Sequence, residues 1–133
     1  MKNSIKWECT FGISPGYQSY EVSENEQYLN NMIPNMDDVA KIIQRNQLWL
    51  FEATGVYVSC VFYQSRTMYH SDWGCPETGE HTVTLTGCCN PTFVDPAAYI
   101  EALKRFINYM QKDLNQTTVQ LEIWEISHEY YRD

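Results

Sequence analysis

The sequence predicts an α+β fold, a ferredoxin-like βαββαβ plait, from three observations. Four segments alternate apolar and polar residues with the period of two that sets one strand face against a core. Two longer segments repeat apolar residues at helical spacing and carry helix-start chemistry. With right-handed crossovers, their order gives a four-stranded antiparallel sheet, order 4-1-3-2, with two helices on one face. A short extra helix is expected as an insertion after strand 1.

The first strand is "SIKWECTFGIS", residues 4–14, with Ile5, Trp7, Cys9, Phe11 and Ile13 on one face and Lys6, Glu8 and Thr10 on the other. "SPGYQ" turns the chain, and "SENEQYLNNMI" places Ser23 and Glu26 at the spacing of a capping box before Pro34. The first main helix is expected over residues 35–54, with Asp37 and Asp38 in its first turn and Gly55 at its exit. "VYVSCVFYQSRTMY" reads as the second strand, Val56, Val58, Cys60 and Phe62 inward and Tyr57, Tyr63 and Tyr69 outward. Its apolar side weakens after Gln64, which predicts a bulge or an exit from the sheet there.

Gly74, Pro76 and Gly79 mark a loop, after which "EHTVTLTG" sets Val83 and Leu85 against Thr82, Thr84 and Thr86. Asp95 followed by Pro96 opens the second helix, whose stripe is Ile100, Leu103, Phe106, Ile107, Met110 and Leu114. The last strand, "TTVQLEIWEISHEYY", points Val119, Leu121 and Ile123 inward; Trp124 and Ile126 break that parity and predict a bulge or a doubly covered end. Trp7, Phe11, Val58, Phe62, Leu85, Leu103, Phe106 and Leu121 are expected to be buried together.

A chain of 133 residues reads as one domain, residues 1–133, long enough to bury roughly two-thirds of its unfolded surface without a disulfide or metal staple. No apolar leader is visible in "MKNSIKWECTFG", and five cysteines is an odd number, so free thiols in a cytoplasmic setting are expected. The net charge of −8 argues against direct contact with nucleic acid or an anionic membrane. Ten tyrosines and four tryptophans suit either a tyrosine-rich core or a binding surface.

The stretch "YHSDWGCPETGEHTVTLTGCC" concentrates chemistry-bearing residues. His70, Cys75, His81 and Cys88 make a zinc set on paper, but no C-x-x-C is present and Cys88 and Cys89 point to opposite faces, so no metal and no cofactor is expected. Cys75 with His70 or His81, oriented by Glu77 or Glu80, would make a small hydrolase, a second alternative without a complete constellation. "HTVT" is similar to the His-apolar-Ser/Thr element of two-histidine phosphoesterases, yet its hydroxyl directly follows His81 and no second copy exists.

In the plait, the insertion at 14–38 and the loop at 66–80 share one end of the sheet. Glu21, Glu24, Glu26, Asp37, Asp38, Asp72, Glu77 and Glu80 there face only Arg66, with Tyr17, Tyr20, Tyr28, Tyr69 and Trp73 among them. The predicted binding residues are therefore Tyr17, Tyr20, Arg66, Tyr69, His70, Asp72, Trp73, Glu77 and Glu80. Such a pole fits a basic protein surface, so the sequence points to a non-catalytic acidic binding protein. An inhibitor of a basic or nucleic-acid-handling enzyme, of immunity or phage counter-defence type, is the form this takes. The alternative is a protein binding a small nucleotide-like ligand, gripped by Arg66, His70, Trp73 and the tyrosines in a pocket closed by a homo-oligomer.

Overall fold

The alternation that opens the sequence becomes β1 (Lys2–Gly12), an inner strand of the sheet in a computed structural model that describes residues 1–13 and 33–133. α1 (Met36–Thr54) follows, then β2 (Val61–Thr67), β3 (Glu80–Cys88), α2 (Pro96–Asp113) and β4 (Gln120–His128). The sheet order is β2-β3-β1-β4, every pair antiparallel, which is the ferredoxin-like arrangement. The expected capping-box helix around Ser23 and Glu26, with Tyr17, Tyr20 and Tyr28, lies outside the described residues.

Both helices are capped as their sequences dictate. The Asn35 side chain accepts a hydrogen bond from the Asp38 amide at 2.8 Å, and Gly55 leaves α1 in the left-handed region at φ 72°, its N–H donating to Phe51 O. Asp95 accepts from the Ala97 amide ahead of Pro96 in α2. Val39, Ile43 and Leu50 from α1 join Leu103, Phe106 and Met110 from α2 in one core with Trp7, Phe11, Val83 and Leu85. Between the helices Arg45 pairs with Asp113 at 2.7 Å, and buried Asn46 donates to the same carboxylate at 3.0 Å.

The largest core group is Trp7, fully buried. It lies in register opposite Gly87 of β3, and a Cβ on Gly87 would sit 2.7 Å from the indole nitrogen and 2.6 Å from Ser59 O. The missing side chain is what admits the indole. From there Nε1 donates to the Tyr99 hydroxyl at 2.8 Å, and the ring meets Phe106 edge-on at 6.4 Å between centroids. Tyr99, 2% exposed, was not among the expected core residues.

Three expectations are corrected. No bulge follows Gln64: β2 stays in register to Thr67 opposite Glu80, because Ser65 and Thr67 find hydroxyl partners in Thr82 and need no apolar face there. No bulge breaks β4 either, since its pairing with β1 runs evenly from Thr10–Gln120 to Lys2–His128. Trp124 and Ile126 simply occupy the face away from the helices, which is less polar than alternation suggested. Phe62 and Leu121 are half-buried because β2 and β4 are the edge strands of the sheet. Among the described residues no helix is long and apolar enough to cross a membrane.

Five free cysteines divide by environment: Cys9 and Cys89 are buried, Cys60 and Cys75 half-buried, Cys88 exposed. Burial pushes the Cys9 thiol up to about 12 and the Cys60 thiol up to about 11, and it raises Cys89 as well. Since the thiolate is the reactive species, at pH 8 a thiol reagent should titrate Cys88 and Cys75 quickly and the other three only after denaturant is added. Rapid labelling of Cys9 in native protein, read by peptide mass, would contradict this packing. Gly87→Ala should cost about 1–3 kcal/mol by forcing the indole aside, and Phe106→Ala about 3–5 kcal/mol, both measured by urea unfolding.

Candidate functional site

Strand parity that turns Trp7, Cys9 and Phe11 toward the helices turns Glu8, Thr10 and Gly12 to the opposite, open face of the sheet. Register then places Glu122 beside Glu8, Gln120 and Thr84 on either side of Thr10, and Thr82 beside Gly12. All of these but Thr84 line a groove of about 400 Å³, with Thr67, Glu80, Gln116 and Val119 completing its end. Trp124 and Tyr63, both on this face and partly exposed, flank it.

A run of hydroxyls leads from this groove across three strands. Thr10 Oγ1 lies 2.9 Å from Thr84 Oγ1, which lies 2.9 Å from Ser65 Oγ. Ser65 lies 2.8 Å from Thr82 Oγ1, which accepts from Thr67 at 3.2 Å. The walls are acidic. Glu8 and Glu122 stand directly opposite each other across two strands, a destabilising arrangement for like charges, and neither has a salt bridge among the described residues. No lysine or arginine lines the groove. A cation entering it would relieve that repulsion.

Another cleft of about 450 Å³ lies between the far end of β4 and the start of α2, lined by Asn3, Ser4, Ile5, Pro96, Glu125, Ile126 and Ser127. It brings in a single carboxylate and no run of hydroxyls, so the sheet-face groove has the richer chemistry.

Among the residues expected from sequence to bind, the structure brings only Glu80 into this groove. Arg66 is held by its own hairpin, donating to Thr78 O at 3.1 Å. His70 caps the 3-10 turn Ser71–Trp73, its Nδ1 accepting from the Asp72 amide at 3.1 Å, with the Asp72 carboxylate 3.6 Å away. Trp73 is 81% exposed, Glu77 is exposed, and the Tyr69 amide lies 3.5 Å from Cys75 Sγ. Tyr17 and Tyr20 fall outside the described residues. His70, Cys75, His81 and Cys88 are not assembled: among the described residues, no group of three or more His, Cys, Asp or Glu is placed to hold a metal.

Glu8, Thr10, Gly12, Gln116 and Glu122 did not appear among the sequence-predicted binding residues. The signal for part of the groove was present in the threonine alternation of "EHTVTLTG", which marks a sheet face built from hydroxyls.

Comparison with known proteins identifies the family. A family model described as SAM lyase matches residues 2–132. A phage SAM lyase in complex with S-methyl-5'-thioadenosine is similar in fold, with a TM-score of 0.58 at 14% identity over 97% of this chain and 93% of that one. A phage SAM lyase in the apo state gives 0.54 at 11% identity, over 98% and 94%. No curated protein matches. The expected non-catalytic inhibitor is thereby overturned, because the matching family is one of enzymes, and of lyases rather than of hydrolases working through Cys75 and His81. A basic protein partner has no support; a small nucleotide-like ligand is what one related structure contains. From residue 2 to residue 132, this chain belongs to the SAM lyase family.

Proposed function

We propose that this protein cleaves S-adenosylmethionine (SAM) and releases S-methyl-5'-thioadenosine. The family match over nearly the whole chain carries this reading. The sulfonium sulfur of SAM bears a methyl group, the adenosine 5' carbon and the γ carbon of the amino-acid chain. The product keeps the first two, so the bond broken is sulfur to γ carbon, and its electron pair neutralises the sulfur. A lyase adds no water. The substrate's own carboxylate oxygen can form the replacing bond at the γ carbon, closing a five-membered lactone with no proton taken or given. Such an intramolecular attack needs a folded substrate held in place more than it needs a base.

The open-face groove suits that task. SAM carries a net single positive charge at neutral pH, and the Glu8–Glu122 pair supplies a field that draws it in. At contact, those carboxylates are acceptors for ribose hydroxyls, and Trp124, in the next row of the same face, offers an aromatic plane to adenine. The net charge of −8, which argues against nucleic acid and an anionic membrane, suits a small cation.

Purified protein given SAM alone should yield S-methyl-5'-thioadenosine and homoserine lactone by liquid chromatography with mass detection, above the rate of spontaneous breakdown. Glu8→Gln combined with Glu122→Gln should raise KM by about tenfold or more, and wild-type kcat/KM should fall as salt rises. Production of S-adenosylhomocysteine, or no turnover above the uncatalysed rate, would sink the reading.

A further inference from the structure

Resting on that reading, we propose that the α-amino-acid end of SAM is held over β1 between Thr10 and Gly12, with Thr10 as its hydroxyl donor and the Glu80–Gln116 oxygen pair as its ammonium acceptor. Two independent pieces of geometry define this clamp.

The first is the direction of the hydroxyl run. Thr67 donates to Thr82. Thr82 and Thr84 are only 2% and 5% exposed, so their own protons must be spent inside the run. Thr82 therefore donates to Ser65, the acceptor left to it; the same sense carried on has Ser65 donating to Thr84 and Thr84 to Thr10, contacts in which either atom can donate. In that sense each hydroxyl spends its one proton inside the run except Thr10, exposed in the groove, which is left as a donor. A chain of aligned hydroxyls polarises its terminal member, making Thr10 a stronger donor than an isolated threonine. Its partner is an acceptor brought by the ligand.

The second is the space above Gly12. A Cβ there would lie 2.5 Å from Gln116 Oε1 and 2.6 Å from Glu80 Oε1. Both oxygens thus lean over Gly12 into the room that a side chain there would take. Gln116 Nε2 is committed to Leu114 O at 3.1 Å, which turns the amide oxygen toward that room. Among the described residues neither oxygen receives a hydrogen bond from the protein. Two acceptors over one glycine, one of them anionic, call for a group with several donors and a positive charge, which an ammonium supplies.

Thr10 and Gly12 share the open face two positions apart, about 6.5–7 Å along a strand. An α-amino acid sets a carboxylate oxygen and an ammonium nitrogen within about 3 Å of each other, so one hydrogen bond at each end, about 2.8 Å long, spans the interval. Holding one carboxylate oxygen at Thr10 leaves the other free to approach the γ carbon. Thr10, Gly12, Glu80 and Gln116 are thereby specificity-determining for the amino-acid half of the substrate, and S-methyl-5'-thioadenosine, which lacks that half, does not use them.

The test compares the two molecules in one assay: KM for SAM and the inhibition constant of S-methyl-5'-thioadenosine as product. Thr10→Val should raise KM about 10- to 100-fold while leaving the inhibition constant within about twofold, and Thr10→Ser should restore KM to within about threefold. Gly12→Ala, which drives Glu80 and Gln116 apart, should show the same split. The retained inhibition constant also reports that each variant is folded. Parallel rises in both constants, or no change in either, overturn the clamp while cleavage by the wild type leaves the functional reading standing. A wild-type chain that leaves SAM intact overturns the functional reading itself.

Discussion

Trp7 settles which way β1 faces, and the rest of the molecule follows from that. Its indole fits only where Gly87 has no side chain, and its one polar atom is satisfied only by Tyr99 on α2. Burying an indole N–H without a partner costs on the order of 1–3 kcal/mol, so the ring cannot simply turn over. Strand side chains alternate strictly, and a slip of one residue would send every β1 side chain to the wrong face. Fixing Trp7 inward therefore fixes Glu8, Thr10 and Gly12 outward, beside Glu122, Gln120 and Thr82. The core and the groove are two faces of one constraint.

Much of the fold was legible because its determinants are local. Alternation at 4–13, 80–88 and 120–128 and the caps at Asp95 and Gly55 each follow from the nearest few residues, and sheet order followed from chain order and crossover handedness. The two expected bulges failed for one reason. Apolar Trp124 and polar Ser65 were each read as a broken pattern, when the open face carries hydroxyls on β2 and β3 and an aromatic on β4. Tyr99 has no local mark of burial; only the distant indole of Trp7, whose N–H its hydroxyl accepts, makes it a core residue.

The site was less legible, since it is assembled by register rather than by sequence proximity. Glu8 and Glu122 lie more than a hundred residues apart and meet only through strand pairing. The hairpin at 66–80 gathered attention because its charges cluster in sequence, yet Arg66, His70 and Asp72 are occupied in shaping that hairpin. Gln116, after the end of α2, has no pattern at all to mark it. An acidic surface tells against a nucleotide only when that nucleotide is an anion, and a sulfonium nucleoside is a cation.

That sign poses a problem for catalysis which the layout of the groove addresses. The proposed reaction destroys the sulfonium charge, so a carboxylate pressed against the sulfur would stabilise the bound substrate more than the transition state and slow the step. An acidic site gains from its charge only by placing it away from the reacting atom. Along β1 the carboxylates stand at two rows, Glu8 with Glu122 and then Glu80 above Gly12, and between them lies a row of neutral groups, Gln120, Thr10 and Thr84. A substrate held by its ribose at the first row and its ammonium at the second has its sulfur over the neutral row. In the proposed complex, charge draws the ligand in and grips both ends, while the centre is left to lose its charge among hydroxyls and amides. On this arrangement the acids govern binding, and the rate of bond breaking depends on how tightly the two ends are held.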